Sequence, residues 1–154
     1  MFGALTIIAM AAAGAVAAPA NDAVERWRLS EPLAAYVENS SGEVLALDCI
    51  GASCKYLLAL NGVCPEGLRI GTIVNSQVGE TVTTLTCHTN SKGNIMVIGD
   101  ANLGQLMSGD KIAFAFTHVD SLIAVARFSL AGANEAIATV MANAQQRDAA
   151  APTP

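Results

Sequence analysis

The sequence predicts a mainly β protein: an antiparallel β-sandwich or barrel-like sheet with a short helix and a C-terminal helix. Short apolar segments alternate with clusters of turn residues along most of the chain, which is the pattern of successive antiparallel strands. Helical spacing replaces this pattern twice, at residues 103–107 and after residue 132. Strands and helices do not alternate regularly, so we do not expect a doubly wound nucleotide-binding fold.

Eight segments are predicted to be strands, because each is apolar or β-branched and is bounded by turn residues. In chain order they are Leu33–Val37, Glu43–Cys49, Cys54–Leu60, Leu68–Asn75, Thr81–Thr89, Asn94–Ile98, Lys111–Val119 and Leu122–Leu130. The last two form a hairpin with its turn at Val119–Asp120. Size matching predicts its register: Phe116 opposite Ile123, Phe114 opposite Val125 and Ala115 opposite Ala124.

Two helices follow from apolar residues three and four positions apart. Asp100 is placed to cap the short helix at residues 103–107. Gly132 or its neighbour caps the longer helix, which has Glu135 in the first turn, where the helix dipole favours an acid. Its apolar stripe continues to Ala144.

Residues 1–20 have the features of an export signal. Phe2–Ala20 contains no charged side chain and is rich in alanine, like the apolar region of a signal peptide. Small residues stand at the two cleavage-like sites Ala15–Ala17 and Ala18–Ala20, and we expect cleavage after Ala20. A retained membrane anchor is the alternative reading, but alanine contributes little to membrane insertion.

The chain therefore divides into a signal, one domain and a tail. With 154 residues, it has the size of a single domain. We assign residues 1–20 to the signal peptide, 21–147 to a single β-rich domain and 148–154, rich in Ala and Pro, to a disordered tail. The exported product would be periplasmic or secreted, without stable membrane insertion after cleavage.

The charge of the chain excludes one class of partner. There are 13 acidic and 8 basic side chains, for a formal net charge of −5. Nucleic-acid binding needs a basic surface that displaces counterions. We therefore expect no nucleic-acid partner.

Four cysteines follow the predicted signal: Cys49, Cys54, Cys64 and Cys87. An even number in an exported chain predicts two disulfides. Cys49 and Cys54 flank a tight turn and could pair across it. We favour Cys54 with Cys64 and Cys49 with Cys87, because cross-strand neighbours meet disulfide geometry less readily. Zinc is the rival use, but the spacing lacks tight CxxC pairs, so we predict no metal and no cofactor.

No recognised catalytic motif is present, and we predict no catalytic residue. His118 and Asp120 are spaced like a base and its orienting acid, but residues at a hairpin tip are usually just solvated. Cys87 and His88 are neighbours in a strand, so their side chains point to opposite faces. A histidine-activated thiol is therefore not expected.

The binding residues are unknown, with two candidates. Trp27, the one tryptophan, is either a core residue or part of a binding face, and we expect core. Glu66 lies in the loop 61–67, which contains Cys64, and is the acid that such a loop would present to a basic cleft. Asn39-Ser40-Ser41 also fits a glycosylation sequon.

Two runs near the C-terminus carry a family resemblance. Leu103–Ile112 places a short helix before a glycine, and Phe128–Ile137 contains Ser-Leu-x-Gly-x-x-x-Ala at the entry to the last helix. With the hairpin between them, and with Trp27 followed by Cys49 and Cys54, they resemble the invasion-associated locus B family of exported bacterial proteins. The resemblance implies a β-rich periplasmic or surface protein without catalytic activity. It transfers no binding residue.

The sequence therefore predicts an exported, disulfide-stabilised, non-enzymatic protein that acts through protein binding at the bacterial envelope, in a host-interaction or invasion-associated role. It does not identify the protein partner. The first alternative is a secreted inhibitor of a cell-wall hydrolase that uses the loop around Glu66. The second is a small hydrolase that uses His118 and Asp120.

Overall fold

The computed structural model describes residues 25–62, 64–90, 93–99, 103–117 and 122–150. Within these ranges the strands are β1 (Arg28–Glu31), β2 (Ala34–Glu38), β3 (Val44–Ile50), β4 (Ser53–Ala59), β5 (Arg69–Ser76), β6 (Gly79–Asn90), β7 (Gly93–Ile98), β8 (Lys111–Thr117) and β9 (Ile123–Ser129). The helices are α1 (Leu103–Leu106) and α2 (Ala133–Ala150). The segment predicted to be the signal peptide lies outside the described residues.

The nine described strands form one antiparallel sheet in the order β1-β2-β3-β4-β7-β6-β5-β8-β9. The predicted mainly β class, with a short helix and a C-terminal helix, is confirmed. The sheet coils, so that its first strands approach its last. The side-chain amide of Asn39, after β2, donates to the backbone carbonyl of Arg127 in β9 at 3.1 Å. The backbone N–H of Trp27 donates to the carbonyl of Ala131, after β9, at 2.9 Å.

The core lies on the inner face of this coiled sheet because apolar residues recur at every second position. In β8, Ile112, Phe114 and Phe116 are buried while their neighbours are not. Phe114 meets Phe128 of β9 edge to face, with ring centroids 6.1 Å apart. Burial of one such aromatic side chain contributes about 2–3 kcal/mol.

The predicted register of β8 and β9 is wrong. The two strands pair one residue away from it. Phe116 pairs with Ala124, Phe114 with Ala126 and Ala115 with Val125. A one-residue slip turns every side chain of a strand to the other face. Here it places Ala126 and Phe128 in the core and leaves Ile123 and Val125 outside. Each core phenylalanine of β8 then faces an alanine, which leaves room for its ring.

Two disulfides are present, as predicted, but the favoured pairing is wrong. Cys49 pairs with Cys54, and Cys64 with Cys87. The first pair is directly opposed in the hairpin of β3 and β4, with Cα atoms 4.0 Å apart. Gly51, with φ 61°, occupies the first position of its two-residue turn, where a tight hairpin requires glycine. The second disulfide ties the loop before β5 to β6.

The helices cover apolar parts of the sheet. Helix α1 sits against the turn between β5 and β6, where Leu106 approaches Gly79 and Gln77 Oε1 accepts from the N–H groups of Asp110 and Lys111 at 3.1 Å each. Helix α2 packs against β1, β2 and β3 through its buried residues Ala133, Ala136, Val140 and Ala144.

The first strand and the last helix of the described domain differ from the predicted elements. Strand β1 was not predicted, since its four residues are all exposed and show no alternation. Helix α2 has its acidic Glu135 in the first turn, as predicted, but it continues to Ala150. Residues 148–150 are thus helical rather than a disordered tail, and residues 151–154 lie outside the described ranges. Neither of the two described helices is long and apolar enough to cross a membrane.

Candidate functional site

The predicted binding candidate Trp27 is a core residue. Its side chain is 4% exposed and belongs to the apolar cluster inside the sheet. Its indole Nε1 has no hydrogen-bond partner in the structure. Because the ring is inside, Trp27 does not present a surface to a partner.

Glu66 is exposed, but both of its carboxylate oxygens are engaged within the chain. One oxygen accepts from the backbone N–H of Thr89. The other lies 3.1 Å from His88 Nδ1. The Thr89 N–H, and after it the His88 ring, hold the pKa of Glu66 below its ordinary value. These two contacts of Glu66 hold the loop 61–67 against β6, close to the Cys64–Cys87 disulfide.

Of the two catalytic pairings that the sequence raises, only Cys87 with His88 lies among the residues that the structure describes. His118 and Asp120 lie outside those residues. Cys87 is fully buried and disulfide-bonded while His88 is exposed, which confirms that the two side chains point to opposite faces. In the described ranges, no three His, Cys, Asp or Glu side chains are grouped to hold a metal ion.

The sequon asparagine is structural. Asn39 is 7% exposed, and its Nδ2 donates to Glu43 Oε2 at 2.7 Å and to the Arg127 carbonyl at 3.1 Å. Its Oδ1 accepts from the N–H groups of Ser41 and Glu43 at 3.0 Å each. A buried amide with all these bonds made is closed to glycosylation in the folded state.

The most prominent surface feature is an apolar row on the outer face of the sheet. Cross-strand pairing aligns Val82 of β6, Ile73 of β5, Ala115 of β8 and Val125 of β9. Ile123 lies two residues before Val125, on the same face. Val82 is 72% exposed, Ile123 78%, Ile73 47% and Val125 40%. We call these five residues the apolar face.

A polar row borders the apolar face. The same cross-strand pairing aligns Glu80 of β6, Asn75 of β5 and Arg127 of β9, with Ala113 of β8 between the last two. Asn75 Nδ2 donates to Glu80 Oε2 at 3.3 Å. The border thus carries a negative charge at one end and a positive charge at the other.

A second feature is a cavity at the end of the coiled sheet opposite α1. It has a volume of about 70 Å³. Its apolar wall is formed by Leu60, Cys64, Ile70, Met96, Phe116 and Ala124. Glu43, Asn61, Gly62 and Asn94 complete the lining. We call this the end cavity.

Sequence reasoning missed both features. The sequence did contain a signal for the apolar face. Ile73 and Val74 are adjacent apolar residues in one strand, so their side chains must lie on opposite faces of the sheet. The sequence contained no such signal for the end cavity, since its wall gathers residues from segments far apart in the chain.

Comparison with protein-family models, with curated proteins and with solved structures finds no match to this chain.

Proposed function

We propose that this is an exported, non-enzymatic protein of the bacterial envelope, periplasmic or secreted, that binds another protein through the apolar face. The observation that carries the proposal is the apolar face itself, a contiguous group of exposed aliphatic side chains on a disulfide-stabilised sheet. Contiguous exposed apolar surface marks contact sites, whereas scattered apolar residues do not.

The composition of the apolar face favours a protein as the ligand. Ala115 lies between the larger Ile73 and Val125, so the row forms a shallow surface rather than a pocket. An apolar centre with a charged border is the usual anatomy of a protein interface. The partner we infer has an apolar surface of its own, with charges complementary to Glu80 and Arg127 beside it.

Export is supported by the two disulfides. Disulfides persist in oxidising compartments such as the periplasm and the extracellular space. The resemblance to invasion-associated locus B proteins points to the same class, and it remains an expectation. Inhibition of a cell-wall hydrolase through Glu66 has less support, because both carboxylate oxygens of that residue are occupied within the chain.

Site-specific photo-crosslinking tests the proposal. A photoreactive amino acid replaces Val82 in the full chain, which is produced in its own host and irradiated in intact cells. We expect a discrete protein adduct in the envelope or secreted fraction. Introducing Arg127→Glu beside the probe should weaken the adduct, since it reverses the positive end of the border.

The matched control carries the same photoreactive residue at Ala138, an exposed position of α2. We expect no such adduct from it. Adducts of equal yield from both positions, or no protein adduct from position 82, would refute binding at the apolar face.

A further inference from the structure

We propose that the end cavity binds a small uncharged molecule with an apolar body. This inference is independent of the protein contact proposed above, because the cavity lies inside one end of the sheet and the apolar face lies outside it. The mouths of barrel-like sheets are common sites for small ligands.

The position of the cavity follows from the way the coiled sheet is closed. At one end, the buried side chains of α1 cover the core beside the turn between β5 and β6. At the other end, Ile70 near the start of β5, Phe116 near the end of β8 and Ala124 near the start of β9 line open space. No residue of either described helix lines the cavity at this end.

The volume limits the size of the ligand. One water molecule needs roughly 10–15 Å³ measured in the same way. The end cavity, at about 70 Å³, thus has room for about five non-hydrogen atoms. A long acyl chain or an aromatic bicycle does not fit, and a body of three to five carbon atoms is the matching class.

The chemistry of the lining selects against anions. Among the described lining residues, Glu43 is the one ionisable side chain, and its carboxylate would repel a bound carboxylate or phosphate. In the described part of the chain, no Lys or Arg belongs to the lining. The six residues of the apolar wall carry no charge, so burial of methylene groups against them provides the binding free energy.

The polar side of the cavity is held in place before any ligand binds. Asn61 Nδ2 donates to the Ser41 carbonyl at 2.6 Å. Asn94 Nδ2 donates to the Gly62 carbonyl at 3.4 Å, and its Oδ1 accepts from Thr89 Oγ1 at 3.1 Å. These bonds fix two side-chain amides that can orient a hydroxyl or carbonyl head.

A titration followed by two-dimensional NMR of the full, oxidised protein tests this inference. The probes are 1-propanol, 1-butanol and 1-pentanol, with butyrate as the anionic counterpart of butanol. We expect saturable shifts at Met96, Phe116 and Ala124, with dissociation constants on the order of millimolar. Affinity should rise about fourfold per added methylene until the cavity is full. Butyrate should bind at least about tenfold more weakly than butanol, because of Glu43.

Two variants locate the site. Ala124→Leu fills the cavity and should abolish the saturable shifts, while Ala138→Leu makes the same change on the exposed side of α2 and should leave them intact. If Ala124→Leu does not fold, Ile70→Phe fills the cavity from a half-buried position. Shifts that do not saturate, that centre on the apolar face, that persist in the filled variant or that are equal for butyrate would overturn the inference.

Discussion

At the scale of single residues, polar side chains hold the loops of this domain by bonding to backbone groups. Asn39 joins the turn after β2 to β9, and Gln77 joins the turn after β5 to the start of β8. The fit around Gln77 is close, since a Cβ on Gly109 would lie 2.7 Å from its Oε1. Each such bond has a small net stabilising effect, but leaving a buried partner unpaired costs about 1–3 kcal/mol.

Glu66 provides a prediction about pH. Its pKa is lowered in the folded protein, so its contribution to stability is present above its ordinary pKa and is lost as pH falls through the folded-state value. We expect Glu66→Gln to lower the urea midpoint at pH 6 and to have a smaller effect at pH 3. The measurement is urea unfolding of the oxidised protein at both pH values.

Glu31→Gln is the control for that experiment, because it removes an exposed carboxylate from β1 without touching the loop of Glu66. An equal pH dependence for the two variants would show that the bonds from Thr89 and His88 do not stabilise the fold through the charge of Glu66.

At the scale of elements, the hairpin of β8 and β9 shows what the sequence can and cannot predict. Apolar alternation located both strands, because each strand has one strongly apolar face. It could not choose the face of β9, since Ile123 and Val125 compete there with Ala126 and Phe128. Tertiary packing decides: the Phe128 ring fits beside Phe114, and the smaller aliphatic residues turn outward. The apolar face is a direct consequence of that choice.

The two disulfides are predicted to stabilise the folded protein by different free energies. Their cysteines are 5 and 23 residues apart. In the chain-entropy account, a longer closed loop gives more stabilisation. We expect Cys64→Ala with Cys87→Ala to cost about 3 kcal/mol, and Cys49→Ala with Cys54→Ala to cost about 2 kcal/mol. The free energy of unfolding from urea denaturation measures both.

The order of these two costs is the informative result, since each double variant serves as the control for the other. The longer loop also contains Glu66, which accepts a hydrogen bond from the Thr89 N–H in β6. Loss of the Cys64–Cys87 disulfide should therefore weaken that contact as well. A larger cost for the hairpin disulfide would mean that cross-linking β3 to β4 stabilises the native sheet itself rather than restricting the unfolded chain.

At the scale of the whole molecule, closure of the sheet gives the protein two different surfaces. Bonds from Asn39 and Trp27 bring the ends of the sheet together, so its inner face becomes the core and its outer face remains available. Apolar alternation in the sequence predicted the strands that supply the core, but it turned the wrong face of β9 inward. It could not predict the end cavity, whose wall depends on the strand order β4-β7-β6-β5-β8-β9, and no local pattern encodes that order.

The proposed export makes a prediction for the whole chain, tested by its intact mass from the native host. We expect a mature chain that starts at Asn21, with Ala18 as the start if the earlier site is cut. Reduction should add about 4 Da, since two disulfides become four thiols. The unreduced, alkylated sample is the control, because it should take up no alkyl group. A full-length mass with free thiols would place the protein in a reducing compartment and refute export.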